Sequence, residues 1–599
     1  MTGPRAVQDY WYRLRAMEPS EVAHHVLDRA LRWTEPAARR GLAGVMLPGR
    51  VATFPQLPMR QQATPMLRAA VAEAASAIRA GRWILYGWKE AQVSDPPDWH
   101  RDYARDAASD GAAEPRNVWE ANRWSELVRL AQHAWLSQER EDARLVQRWL
   151  LDWCEKNPLG VGVNWKSGLE AAVRLVNFCW IDALIRGSGD AALKAAQAQL
   201  AQRVVPAHAW WVWRRRAIGS SANNHLIGEL AGLVLAARRW PTVAQLCGSA
   251  ERLWEQLSRE VLRQFAPDGG NREQALHYHQ FAWQLVWQAH RVMGRLPGPV
   301  AERLRAAALF LSDCTHAEEP WDFGDSDDAE PTPFTAGRRS ARVEWQAWLT
   351  GAPSPALHFW LGRPPALPRV RGDAWRVYPE SGLAVRDVHR WKARLDASPL
   401  GWGRIAAHGH LDALHFSLWD GPHAVVVDPG TGAYLGDRAL RDRLASWAWH
   451  NGPVPVSGLA RPQRRGAFVW SDHHAAPELT LDGSTCVARR EDGACRFSRA
   501  VRYDAETDAW SVDDDTPADV PCVVRWRLAP PWRVDTVADG VITLTRHDGD
   551  ALRMTFVSED LRACEVSEDI VSPHFGDVRR GAVIALTFVN KLVTCWRRE

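Results

Sequence analysis

The sequence predicts two fold classes in one chain: an array of antiparallel helix pairs, a solenoid or a closed toroid, followed by a mostly antiparallel β-sandwich. Three observations carry this. A chain of 599 residues is too long for one hydrophobic core. From about residue 96 to 350, apolar residues recur at i, i+3 and i+4 in segments of similar length with short connections. After a Pro-rich stretch, GAPSPALHFWLGRPPALPRVRGD at 351–373, the pattern changes to alternation.

In chain order, residues 1–95 are expected to form a helical lead-in, with an amphipathic Glu21–Trp33 and an Ala-rich Ala63–Ala80. The domain 96–350 reads as helices over Trp119–Leu136, Asp142–Glu155, Ser167–Ile185, Ala192–Trp213, Asn224–Arg239, Ala250–Phe265, Gln274–Gly294 and Pro299–Cys314. Residues 351–373 read as a linker. In 374–599, strands are expected at Ala384–Val388, Ala393–Ala397, Phe468–Ser471, Glu478–Leu481, Cys495–Tyr503, Trp510–Asp513, Val523–Leu528, Val541–Thr545 and Leu552–Phe556. Between the first of these lies His408–Tyr434, HGHLDALHFSLWDGPHAVVVDPGTGAY. Its Leu414, Phe416 and Leu418 alternate with His415, Ser417 and Trp419, as in a half-buried strand. Asp420-Gly421-Pro422 turns it, and Ala424–Val427 returns, so the segment reads as a β-hairpin.

A net charge of +3 is small for this length and speaks against a nucleic-acid or membrane-surface binder. Nine scattered cysteines without a CxxC pair favour reduced thiols. No apolar h-region opens the chain, so a cytoplasmic location is expected, with periplasmic or extracellular locations left open. No run of about 18 uncharged apolar residues suggests a membrane span. The 34 tryptophans read first as large core side chains and second as sugar-stacking platforms.

Several stretches could carry chemistry. SSANNHL, 220–226, opens a helix, where Asn223 or Asn224 is a cap and Asn224-His225 adds donors to an anion-binding helix N-terminus. In DGGNREQALHYHQF, 268–281, His277, Tyr278 and His279 sit about 100° apart on a helix and cannot share one pocket; Tyr278 alone reads as a core tyrosine. Glu170 and Arg174 stand at i, i+4 in NWKSGLEAAVR, an expected ion pair. FGDSDD, 323–328, reads as a solvated acidic loop, with calcium binding or cleft lining as alternatives. In the hairpin, Asp428 follows His410 by 18 residues and His450 follows Asp428 by 22. His410, Asp428 and His450 make a three-ligand N/O set suited to zinc.

In this order, WEANR (119–123), NWKSGLEAAVR, SSANNHLIGELAGL, DGGNREQALHYHQF, GDSDD, the His408–Tyr434 hairpin and His450-Asn451 resemble the heparinase II/III superfamily of polysaccharide lyases and its alginate-lyase relatives. The resemblance implies an N-terminal (α/α) toroid, a C-terminal antiparallel β-sandwich and a substrate cleft between them. It implies β-elimination next to a uronic acid, leaving a 4,5-unsaturated end. Asn224 and His225 would neutralise the uronate carboxylate, because the intermediate adds charge to it. Tyr278 and His408 would move the protons, in an order set by the C5 epimer. Arg123, Trp119 and Trp165 are expected on the substrate side. His410, Asp428 and His450 match the zinc site of the sandwich, whose role is mainly structural; no organic cofactor is implied. The partner is an acidic polysaccharide or oligosaccharide. A glycoside hydrolase would instead need opposed carboxylates, Asp268 or Glu273 against Asp325 or Asp327. A non-catalytic polysaccharide-binding protein is the third possibility.

Overall fold

The computed structural model describes residues 55–105, 114–294, 298–316, 318–335, 341–365, 372–459 and 461–599, with one helix and isolated positions before residue 55. The helices are α1 Pro19–Leu31, α2 Pro65–Arg79, α3 Pro115–Asn122, α4 Ser125–Ser137, α5 Arg140–Lys156, α6 Gly168–Arg186, α7 Ala191–Arg214, α8 Asn224–Arg239, α9 Ala244–Cys247, α10 Ala250–Gln264, α11 Leu276–Met293, α12 Gly298–Cys314, α13 Ala341–Leu349 and α14 Pro355–Leu361. Local chemistry sets their starts. Thr64 accepts from the Leu67 N–H with Pro65 in the first turn of α2, and Asp190 accepts from Ala192 and Leu193 at the start of α7. Helix α6 is buried along nearly its whole length and packs on α4, α7 and α8; α8 packs in turn on α10 and α11. A helix apolar all round belongs at the centre of such an array, here the inner wall of an (α/α) toroid. The largest fully buried side chains are all tryptophans, including Trp124, Trp153, Trp240 and Trp283. No helix among the described residues is long and apolar enough to cross a membrane.

Three expectations for this half need correction. The lead-in is not wholly helical, because β1 Arg82–Leu85 and β2 Lys89–Gln92 pair as an antiparallel hairpin. The stretch Trp119–Leu136 is two helices, broken at Trp124, whose φ is 65°. A left-handed residue costs about 1–2 kcal/mol. It places the Trp124 indole edge-on to Trp153 at 5.0 Å, where it is fully buried. The Pro-rich linker begins as helix α14, which buries Leu357, Trp360 and Leu361 and so belongs to the helical core. Its residues 366–371 lie outside the described residues.

The C-terminal half is a sandwich. One layer is an eight-stranded sheet in the order Glu478–Asp482, Thr485–Asp492, Cys495–Asp504, Ala509–Asp515, Lys591–Arg598, Ala551–Val557, Val541–Arg546, Trp532–Ala538. The other joins a five-stranded sheet to a four-stranded one. The first runs β3 Arg376–Tyr378, β4 Leu383–Val388, β5 Trp391–Asp396, β6 Phe416–Asp420, β7 His423–Val426. The second runs Leu561–His574, Asp577–Phe588, Cys522–Arg527, Val454–Pro455. A bridge from Val426 to Leu528 joins the two, and neighbouring strands pair antiparallel, as β5 with β6. Leu395, Leu418, Val425 and Ile584 of one layer share a core with Phe497, Trp510, Leu552 and Trp596 of the other.

The hairpin forms as β6 and β7, but its first strand is not half-buried. Every residue of β6 is buried, because the helical half covers the face turned away from the sandwich core. There the Trp419 indole donates to Glu319 O, and Arg394 on β5 donates to Trp321 O. The strand itself begins at Phe416. Leu414 has φ 73°, and His408 and His410 lie in the preceding loop.

Candidate active site

Helix α8 supplies the first two side chains. Asn223 is its cap, accepting from the His225 N–H at 3.0 Å, which leaves Asn224 for other work. Asn224 donates its backbone N–H to Glu273 Oε1 at 2.9 Å and its amide to Oε2 at 2.8 Å. Its own Oδ1 is buried without a partner. Burial pushes the Glu273 carboxyl up; His408 and the Asn224 donors pull it back, yet it stays above its ordinary value. His225 is half-buried. Burial, reinforced by the His408 charge, pushes its pKa down to about 4. It is therefore neutral near pH 7, able to donate or accept a hydrogen bond.

Helix α11 begins just after the Gly-rich turn. Gly269 has φ +105°, and a Cβ there would overlap the backbone of Ala306. The turn delivers Tyr278 to the domain boundary, where its ring stacks on His408 at 4.0 Å between centroids and 27° between planes. Its hydroxyl lies 2.8 Å from that of Tyr434. Burial, and then the carboxylates of Asp327 and Asp325, hold the Tyr278 pKa well above its ordinary value, so the phenol keeps its proton. The flanking histidines do point elsewhere. His277 Nε2 lies 3.0 Å from Asp327, while His279 accepts from the Asn271 N–H and donates to Ala307 O.

The sandwich contributes His408, 5% exposed. Its Nδ1 lies 3.1 Å from Asp325 Oδ2, and its Nε2 lies 3.8 Å from Glu273 Oε2. Gly409 lets this loop approach the chain, since a Cβ there would overlap the Leu400 carbonyl. Asn224 and His408 thus both reach Glu273 and Tyr278 stacks on His408, with His225, next to Asn224 in sequence, the more accessible of this tetrad.

The acidic loop is not solvated. Asp325 and Asp327 are buried because the loop runs between the two halves, each carboxylate facing a buried arginine. Asp327 pairs with Arg116 and His277, and Asp325 with Arg441, His408 and His410. Burial alone would raise the Asp325 carboxyl, but Arg441 and the histidines hold it well below the usual range. The carboxylates a hydrolase would need are likewise engaged: Glu273 on Asn224, and Asp268 on the Ser381 N–H and hydroxyl.

The expected substrate-side residues are engaged within the helical half. Trp165 is buried among Trp153, Trp211, His208 and Arg174, which leaves no open ring face for a sugar. Trp119 is half-buried and donates to Val163 O. Arg123 is buried and holds Glu170 with two bonds of 2.9 and 2.7 Å. Arg174 therefore does not take Glu170 as its hydrogen-bond partner; it donates to His208 Nε2 and Asn164 O instead. Burial raises the Glu170 carboxyl, but Arg123 more than offsets this and its pKa ends lowered. A depressed carboxyl contributes stability above its unfolded value of about 4.3 and loses it as pH falls through the folded value. Arg123→Ala is accordingly expected to cost about 3–5 kcal/mol at pH 7, because Glu170 is left buried and unpaired. The deficit should narrow at about pH 3, as pH falls toward the lowered folded value and the wild type also begins to lose the pair. Chemical denaturation at both pH values checks this; an equal deficit at both would discount the ion pair.

His410, Asp428 and His450 come together as a possible metal centre. Each offers a ligand atom within 4.8 Å of those of the other two. His410 Nδ1, Asp428 Oδ2 and His450 Nε2 are all buried without a hydrogen-bond partner. Their other polar atoms are engaged: His410 Nε2 with Asp325, Asp428 Oδ1 with the Gly430 N–H, His450 Nδ1 with Ser446 O. His450 Nε2 lies 3.3 Å from Asp428 Oδ2, about the separation of two ligands on a tetrahedral ion with bonds of about 2.0–2.1 Å. Buried lone pairs aimed at one another are costly unless a cation sits between them, so the residues fit a metal.

A cavity of about 460 Å³ lies between the two halves, lined by Tyr86, Trp88, Glu120, His277, Asp328 and His574 among others; Asn224, His225, Tyr278 and His408 are not among its lining residues. Sequence reasoning missed Tyr434 and Arg441 at the site, weighed Glu273 only as a hydrolase acid, and weighed Asp325 as that or as part of an acidic loop. Tyr434 could have been found, since it ends the same hairpin stretch; Arg441 stands in an ordinary basic helix, Arg438–Leu444.

Residues 371–597 match the family model described as Heparinase II/III-like, C-terminal. No curated protein sequence matches the chain. Among solved structures, heparinase III is 14% identical, with 100% of this chain and 94% of that chain covered and a TM-score of 0.65. The heparan sulfate lyase HepC of Pedobacter heparinus is 16% identical over 88% of this chain and 82% of its own, TM-score 0.54. The Streptomyces coelicolor A3 chondroitin AC lyase, solved with chondroitin sulphate, is 12% identical over 94% and 82%, TM-score 0.52. At these identities the likeness is one of fold. Residues 371–597 thus resemble the heparinase II/III-like C-terminal domain, and the chain shares the toroid-and-sandwich fold of heparinase III along its whole length.

Proposed function

We propose that the protein is a polysaccharide lyase that cleaves a uronic-acid-containing glycan by β-elimination. The observation that carries this is the stack of Tyr278 on His408 across the boundary between the halves, with Asn224 and His225 beside it. The C5–H of a uronate is weakly acidic because removing it adds charge next to a carboxylate. Asn224 and His225, at the positive end of α8, would hold that carboxylate and spread the charge. The Nε2 lone pair of His408 takes the C5 proton. The C5–H electron pair becomes the C4=C5 double bond as the C4–O4 bond breaks, and the Tyr278 hydroxyl gives its proton to O4. The assignment of acid to Tyr278 rests on its raised pKa. His410, Asp428 and His450 would hold zinc, whose charge would fix the loop that presents His408; the ion takes no part in the proton steps.

Incubation with heparan sulfate, chondroitin, hyaluronan, alginate and acidic bacterial exopolysaccharides tests this. A lyase produces ultraviolet absorbance from the new C=C conjugated to the carboxylate. Reducing ends without absorbance would mean hydrolysis, and binding without either would mean a non-catalytic protein.

A further inference from the structure

We propose that Asp325 is a positioning residue shared by the proton-transfer site and the metal site, so that metal held at His410 sets the ring of His408. One carboxylate reaches both: Oδ2 lies 3.1 Å from His408 Nδ1 and Oδ1 lies 3.2 Å from His410 Nε2. Arg441 pairs with the same carboxylate and donates to Ala407 O, and the Asp325 N–H donates to His408 O at 2.9 Å. The acidic loop is thereby laced to the histidine loop by backbone and side chain together.

A carboxylate paired with a guanidinium is ionised and only accepts. Both facing nitrogens must then carry the hydrogen, His408 on Nδ1 and His410 on Nε2. This leaves the His410 Nδ1 lone pair for the metal, and Nδ1 is the ring atom of His410 buried without a partner. It leaves the His408 Nε2 lone pair beside Tyr278 and Glu273. A cation on His410 Nδ1 makes the opposite N–H a stronger donor, which holds Asp325 and, through it, His408. Asp325 touches no reacting atom; it acts through the two rings.

The inference rests on the lyase function proposed above for its catalytic half, but not for its metal half. Zinc affinity of the chelator-stripped full chain is measured by competition with a chromophoric chelator, alongside kcat and KM for absorbance formation. Asp325→Asn is expected to weaken zinc binding about 10–100-fold and lower kcat by a similar factor, with KM within about twofold. Chelation should lower kcat of the wild type but not lower that of Asp325→Asn further. His408→Gln should bind zinc as the wild type does. Wild-type zinc affinity in Asp325→Asn would overturn the proposal, as would additive losses from chelation and substitution. If Asp325→Asn does not fold, the unmodified chain decides: zinc must raise kcat of the stripped protein at least about tenfold at constant KM and constant circular dichroism. A fully active stripped protein would overturn the coupling. If no uronate yields absorbance, the lyase function fails by itself, and the zinc affinity of Asp325→Asn, or of Asp325→Glu if the former does not fold, still decides whether Asp325 serves the metal.

Discussion

Tyr278→Phe is expected to lower kcat about 10²–10⁴-fold while KM and the fold change little. The substitution removes one oxygen from a ring that otherwise keeps its stack on His408. Donation of a proton to a leaving oxygen is worth about 10²–10⁴ in rate, or about 3–5 kcal/mol of barrier. The structural cost is smaller, because one hydroxyl pair with Tyr434 is lost at a net value of about 1 kcal/mol. The phenylalanine variant should therefore unfold close to the wild type while forming almost no unsaturated product. Tyr434→Phe is the comparison: it loses the same hydrogen bond but keeps the Tyr278 proton, so it should lose much less activity. Because burial and two carboxylates raise the Tyr278 pKa, its protonated form persists to above about pH 10. An alkaline fall in rate at lower pH would then come from another group. Undiminished turnover in Tyr278→Phe would take this residue out of the mechanism.

How far the sequence led can be judged residue by residue. Helix periods and strand alternation are local, so elements such as Asn224–Arg239 and Cys495–Asp504 stood close to where the structure has them. The Asn223-Asn224-His225 start was readable because capping is also local. What failed was set by the meeting of the two halves. Asp325, Asp327 and strand β6 look solvated or half-solvated in sequence; the opposite domain helps bury Asp325 and β6, and Arg116 and His277, distant in sequence, enclose Asp327. Trp165 has the right chemistry for a sugar platform, but His208 and Arg174 crowd its ring and bury it. The pairing of Arg123 with Glu170 in place of Arg174 was hidden for the same reason: the i, i+4 rule describes one helix, and Arg123 comes from another segment. The metal triad spans three loops, and its members acquired meaning from the family pattern before geometry supplied the orphaned lone pairs.

Those lone pairs lead to the second large effect. Without a cation, His410 Nδ1, Asp428 Oδ2 and His450 Nε2 remain buried and unpaired, each at a cost of about 1–3 kcal/mol. A metal bound only by the folded chain adds stability with its concentration, about 4 kcal/mol at a thousand times Kd. For a domain of about 150–250 residues each kcal/mol moves Tm by about 2–4 °C. Zinc should therefore raise the unfolding temperature of the sandwich by about 8–16 °C, and chelation should reverse the shift. Elemental analysis should find about one zinc per chain. His410→Ala removes one of three ligands and should abolish both the stoichiometric metal and the shift. It should cost less in the stripped protein, where the Nδ1 lone pair has nothing to bind. Asp428→Asn keeps the volume but removes the charge that draws the cation, so it should retain the fold and lose most of the affinity. A chain that stays equally stable with and without zinc, and purifies free of it, would show that the three side chains tolerate one another by some other means.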